Sequence, residues 1–194
     1  MSTLFKQETK TSIMKIGDIG LLHTEGGVLP EAVQYFQQKV DYESGYYNHS
    51  FMYYGDGEIL EAAPKEWIDH ETGEHIKGKL IHAAANFNTL SIYTDHPDKY
   101  EILWLTPKVP CNTKRIQYLM RKWSGTPYDF KNLLGDQIIQ YLFGWWWGRN
   151  KKKAEKLMVC HELTMRIYNE YSGIFPDWNK SRVADIYYSK DHTK

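Results

Sequence analysis

The chain has 194 residues, with 24 basic and 24 acidic side chains and a formal net charge of zero, so its length suits one domain and no global field draws it to nucleic acid or to anionic lipid. Two cysteines, Cys111 and Cys160, are too few for a disulfide framework and fit a reducing compartment. The N-terminal residues lack the unbroken apolar stretch of a signal peptide, and no run of about 18 apolar residues occurs, which excludes a hydrophobic transmembrane helix from the expectations.

Residues 1–14 are polar and read as a loose tail, with a single domain expected over 15–194. MKIGDIGLLHT (14–24) predicts a short strand interrupted at Gly17. Pro30 suits the first position of a helix, and Val33, Phe36 and Val40 follow at helical spacing, so a helix is predicted over 30–40. The period then changes. HSFMYY (49–54) and EILEA (58–62) are β-prone runs on either side of Gly55-Asp56-Gly57, a hairpin signal. Within the polar stretch 65–98, LIHAAA (80–85) reads as a short helix and LSIYT (90–94) as a strand. YEILWLTP (100–107) reads as a strand ended by proline.

Asn112 or Thr113 is placed to cap a helix through Trp123, with Ile116, Leu119, Met120 and Trp123 as its apolar stripe and Gly125 as its terminator. GTPYDF (125–130) reads as a loop. Leu133, Leu134, Ile138 and Leu142 predict another helix, and GWWWGRNKKK interrupts it as an exposed insertion around 143–153. A helix over about 157–171 carries Cys160, Leu163 and Ile167 on one side. The chain closes on a loop and a last strand or turn. No internal repeat is visible.

The chemistry turns on Cys160. A thiol attacks only as the thiolate, and the unpaired N–H groups of a helix's first turn favour the anion. A buried structural thiol is the competing reading. A nucleophile needs a base within hydrogen-bond reach and a third group to orient that base. Of the eight histidines, His161 follows Cys160 directly on the helix, so its side chain is expected to point roughly 100° away. His70, His75, His96 and His192 lie in polar stretches. His49 opens a strand whose hairpin partner carries Glu61. A two-residue loop at Asp56-Gly57 would turn Glu61 away from His49. A three-residue loop, pairing Tyr54 with Glu58 and Phe51 with Glu61, or a bulge, makes Glu61 a diagonal neighbour of His49. Metal ligation and phosphate binding have no supporting motif: there is no C-x-x-C, no H-E-x-x-H and no glycine-rich phosphate loop. No metal and no cofactor are expected.

GDIGLL, NHSFMYYGDGEILEAAP, GTPYDF, MVCHELTMRIY and RVADIYYS, in that order, resemble the permuted NlpC/P60 family of papain-like cysteine hydrolases, across about residues 16–190. The family's strand histidine falls on His49, its G-D-G-x-x-x-E-A segment on Gly55 through Ala62, its G-x-P-Y-D loop on Gly125 through Asp129, and its Cys-Ser-Glu-Leu helix start on Cys160 through Leu163. The cysteine helix follows the histidine strand, as in the permuted branch, which includes lecithin:retinol-acyltransferase-like enzymes. His161 replaces the usual serine, Val183 replaces the usual proline before the final Ala-Asp, and the Trp-Lys insertion is additional.

The resemblance implies an α+β fold, an antiparallel sheet or small barrel packed on the helix that bears the thiol. It implies a Cys160–His49–Glu61 triad working through a thioacyl-enzyme on a peptide or isopeptide amide, of cell-wall γ-glutamyl type among others. Tyr128 is expected to line the groove and contact substrate, or else to pack on the cysteine helix. The alternatives are a lipid-directed acyltransferase or thioesterase, with Trp145, Trp146 and Trp147 and the following Lys151, Lys152 and Lys153 as a membrane-surface contact, and an inactive binding module. The expected setting is cytoplasmic or phage-associated, with a small peptide or amide as partner and no nucleic acid.

Overall fold

The computed structural model describes residues 14–25, 46–76, 83–129, 156–178, 183–189 and 192–193. The elements are β1 (Ile19–Thr24), β2 (His49–Gly55), β3 (Glu58–Ala63), β4 (Ala84–Thr89), the single turn α1 (Ser91–Thr94), β5 (Tyr100–Pro107), α2 (Thr113–Trp123), α3 (Cys160–Ser172), α4 (Val183–Tyr188) and the two-residue β6 (His192–Thr193). The architecture is α+β. One sheet has the order β4-β3-β2-β1-β5-β6, and every neighbouring pair is antiparallel.

Alternation along the strands separates two apolar cores. Ile19, Leu21, Met52, Leu60 and Leu105 join Ile116, Met120, Leu163, Ile167 and Ile186 from the helices. On the other face, Leu22, Phe51 and Ile59 meet Ile68, Ile92, Tyr93 and Tyr100. α2 has the stripe expected of it, with Ile116, Leu119 and Met120 buried, and Asn112 caps it by accepting from the Arg115 N–H at 3.1 Å. Among the described residues no helix is long and apolar enough to cross a membrane.

Three local expectations are corrected. Residues 84–85, read as helical, begin the strand β4, because Ala84 through Thr89 pair in register with Ala63 back to Glu58. Residues 91–94, read as a strand, form the turn α1, which tucks Ile92 and Tyr93 under the sheet. The cysteine helix begins at Cys160 rather than near 157. Val159 is extended, and Met158 makes a parallel bridge with Tyr128 instead of a helical turn. The chain's last part carries the helix α4 before its short strand. The helices expected over 30–40 and 133–142, and the insertion with Trp145, Trp146 and Trp147, lie outside the described residues.

Candidate active site

The hairpin decides where Glu61 points. Asp56 and Gly57 both have positive φ, 52° and 77°, the signature of a two-residue type I′ turn. Gly55 therefore pairs with Glu58, and the expected pairing of Tyr54 with Glu58 is not formed. A bulge between Tyr53 and Gly55 takes up the extra residue, and Phe51 pairs with Glu61. The bulge restores the parity that the two-residue turn alone would have broken. His49 and Glu61 share a face, and His49 Nε2 lies 2.7 Å from Glu61 Oε2.

Glu61 has no solvent exposure, so its oxygens must be satisfied within the protein. Oε2 also accepts from the Tyr93 hydroxyl at 2.6 Å, and Oε1 accepts from Asn88 Nδ2 at 2.7 Å. Asn88 sits on β4 diagonal to Glu61, two residues beyond its partner Asn86 and opposite Ile59. The same side chain donates to the Pro64 carbonyl at 3.2 Å and accepts from the Glu66 N–H at 3.1 Å. It thus ties the carboxylate to the start of the loop after β3, where Glu66 is held at φ 49°. Trp67, the next residue, brings its ring to 6.3 Å from the His49 ring, and His75 stacks on Trp67 at 4.4 Å. Sequence reasoning missed Tyr93 and Asn88. Their one signal was a demand rather than a motif: a buried carboxylate requires donors, and a strand diagonal and a turn supply them.

α3 delivers the thiol. Glu162 reaches back to the Val159 N–H at 3.2 Å and Gly173, at φ 78°, closes the far end. The 125–129 loop fixes the approach, with Met158 N–H bonded to the Pro127 carbonyl at 3.0 Å and Asp129 N–H to the Met158 carbonyl at 3.1 Å. Cys160 is only 4% exposed. Burial alone would push its thiol up. The charge of His49, hydrogen bonds from His161 and His49, and the charge of His161 outweigh it and hold the thiol well below its ordinary value. His49 responds in kind. Burial opposes its proton, but the Cys160 charge and hydrogen bond, then the bond and charge of Glu61, push it up to about 10. With Nε2 committed to Glu61, Nδ1 is the ring nitrogen left for the sulfur.

The structure brings together Cys160, His49 and Glu61, and sets half-buried Tyr128 beside them. Burial, then the charges of Cys160, Glu162 and Asp129, keep the Tyr128 phenol neutral, so its O–H remains a donor. His161, expected to turn away from the thiol, is buried beside it in the sequence, at 2% exposure. Cys111 is an exposed residue whose sulfur donates to the Ile16 carbonyl at 3.3 Å, and its thiol is pushed up by partial burial and by Asp18. Burial, then the charge of His49, holds His75 below its ordinary value. Among the described residues no group of three His, Cys, Asp or Glu side chains is arranged to hold a metal ion. No protein-family model, curated protein or solved structure matches the chain.

Proposed function

We propose that this chain is a cysteine hydrolase of the permuted NlpC/P60 type, with its papain-like arrangement of sheet and cysteine helix, acting on an amide of a small peptide. The observation that carries the reading is the 2.7 Å pairing of His49 with a fully buried, threefold-bonded carboxylate, together with the charge of His49 that helps hold the buried Cys160 thiol well below its ordinary value. The Cys160 thiolate adds to the amide carbonyl. The N–H of Cys160, unpaired in the first helical turn, faces the developing oxyanion. The imidazolium of His49 gives its proton to the leaving amine as the C–N bond breaks, and a thioacyl-enzyme remains. Water then loses a proton to His49, adds to the thioester and releases the acid with the thiolate. Glu61 holds the imidazole with Nδ1 toward the sulfur throughout. Tyr128 serves as a neutral donor to substrate. Peptide and isopeptide links, γ-glutamyl links among them, are the proposed substrates, and the setting is cytoplasmic or phage-associated.

A panel of N-acyl and γ-glutamyl dipeptides tests this. The wild type should release amine and Cys160→Ser should not, with a thioester trapped on Cys160 by mass spectrometry. A wild-type thiol that forms no adduct with any of them counts against the amide reading. The lipid-directed reading rests on Trp145, Trp146 and Trp147 beside Lys151, Lys152 and Lys153. Strong sedimentation with anionic liposomes, lost on replacing the three tryptophans, would favour it.

A further inference from the structure

We propose that Asn88 is a positioning residue of the site, which locks the Glu66–Trp67 segment to the Glu61 carboxylate, so that one side chain sets both the anion behind His49 and the indole beside it. The inference rests on the reading of Cys160 as nucleophile and deepens it. Asn88 stands on β4 opposite Ile59, diagonal to Glu61, and is 8% exposed. Its Nδ2 donates to Glu61 Oε1 at 2.7 Å and to the Pro64 carbonyl at 3.2 Å, and its Oδ1 accepts from the Glu66 N–H at 3.1 Å. The amide has one workable orientation. Turned over, it would set its oxygen against a carboxylate and its NH2 against an N–H.

The carboxylate leans on that amide at one oxygen. Oε2 accepts from His49 and from the Tyr93 hydroxyl, at 2.7 and 2.6 Å, whereas Asn88 is the one donor to Oε1 among the described residues. Glu61 has no solvent exposure, so Oε1 without Asn88 is a buried anionic oxygen with no partner. The carboxylate then turns to share the donors on Oε2 or takes up a proton, and either change weakens its hold on His49. The segment leans on the same amide. Glu66 sits at φ 49°, a region that residues with a side chain seldom adopt, and its N–H is tied to Asn88. Trp67 follows, with its ring 6.3 Å from the His49 ring and its carbonyl accepting from the Ile76 N–H at 2.8 Å. Ile68 and His75 bridge next, making a small hairpin. Its far end is tied separately, by Lys99 Nζ donating to the Thr72 carbonyl at 2.6 Å and the Tyr100 hydroxyl donating to the Gly73 carbonyl at 2.8 Å. Asn88 therefore governs the root of the hairpin, beside His49, and its loss leaves the tip attached. A molecule that displaces Trp67 pulls on Glu66 and, through Asn88, on Glu61 Oε1.

Two substitutions separate the two ties, and neither needs a substrate. Asn88→Asp keeps an acceptor for the Glu66 N–H but replaces the donor to Oε1 with a second carboxylate. The two buried groups then hold one proton between them, which thins the charge that Glu61 presents to His49. Asn88→Ala removes both ties. Iodoacetamide alkylation of Cys160 against pH reads the carboxylate, and the indole N–H resonance of Trp67, assigned with Trp67→Phe, reads the segment. Both variants should alkylate roughly tenfold more slowly at neutral pH, and only Asn88→Ala should move the indole resonance. Alkylation profiles that superimpose on the wild type in both variants would overturn the proposal, as would an indole resonance unmoved in Asn88→Ala. If neither variant folds, the Asn88 side-chain amide resonances in wild type decide. They should move when Cys160 is alkylated, because the lost thiol changes what His49 draws from Glu61, and unmoved resonances refute the link. A wild-type profile like that of an ordinary thiol would instead defeat the nucleophile reading, and the positioning role with it.

Discussion

Replacing Glu61 with glutamine separates an orienting carboxylate from a merely structural one. The side chain is fully buried and faces three donors, His49 Nε2, the Tyr93 hydroxyl and Asn88 Nδ2, at 2.7, 2.6 and 2.7 Å. A carboxylate accepts all three, whereas a glutamine amide puts an NH2 group where one oxygen was. If that group faces Asn88, the asparagine must flip and release the Glu66 N–H. If it faces His49, the imidazole must move its proton to Nδ1 and loses its capacity to take one from the thiol. One unpaired buried donor costs about 1–3 kcal/mol, and reducing a charge-assisted bond to a neutral one costs about 1 kcal/mol more. A loss of about 2–4 kcal/mol lowers Tm by roughly 5–15 °C for a chain of this size. The charge-assisted share, about 1 kcal/mol, is also lost from the imidazolium that supports the thiolate, so alkylation of Cys160 at neutral pH should slow about 5-fold. Melting curves and alkylation rates on the same preparation read both effects. A variant with a lowered Tm but a wild-type alkylation rate across the pH range would refute the orienting role and leave Glu61 as scaffold alone.

The ion pair sets a pH window: iodoacetamide should label Cys160 well below ~8.5, the range of an ordinary thiol, and leave Cys111 slow, and a reversed preference would sink the assignment. Stability should follow the same pair. The contribution of His49 is fully present below its unfolded value of ~6.5 and is lost as pH rises through about 10. That of Cys160 is present above its unfolded value and is lost as pH falls through its depressed folded one. Gly20→Ala should destabilise by about 1–3 kcal/mol, because a Cβ there would lie 2.3 Å from the Phe51 ring, which stacks at 5.6 Å on Tyr93; an unchanged melting curve would show that Phe51 has room to move. Tyr128→Phe should reduce turnover without moving the alkylation profile, and unchanged kinetics on a confirmed substrate would remove its polar role.

Those features written in local spacing were legible in the sequence: the strand at His49, a hairpin at Gly55-Asp56-Gly57, the capped helix α2 and a thiol at a helix start. Two errors at 84–85 and 91–94 share a cause. Short apolar runs carry no decisive period, and tertiary context chose for them. Strand pairing to β3 drew the first into the sheet, while the second core drew Ile92 and Tyr93 into a turn. The hairpin shows a subtler limit. Glu61 faced His49 as the odd-length loop required, but a bulge at Tyr54 supplied the parity, and nothing at Tyr54 itself marks a bulge. That position is fixed from outside the hairpin, where Gln117 of α2 donates to the Tyr54 carbonyl at 3.0 Å and Arg121 reaches the Tyr54 hydroxyl.

The same dependence on distant elements explains why the carboxylate's other partners could not be read from the sequence. Cys160 belongs to the core that the helices build on one face of the sheet, and Tyr93 to the core on the other. His49 pairs with Leu22 and Glu61 with Phe51, so both lie on the face of the second core. A residue such as Asn88 acquires its role only once β4 has paired with β3 in register, since a shift of one residue would turn its amide to the opposite face. The candidate site is therefore a test of the whole sheet's register, and substitutions that disturb it far from the thiol, as at Gly20, should reach Cys160 through the order Phe51, Tyr93, Glu61 and His49.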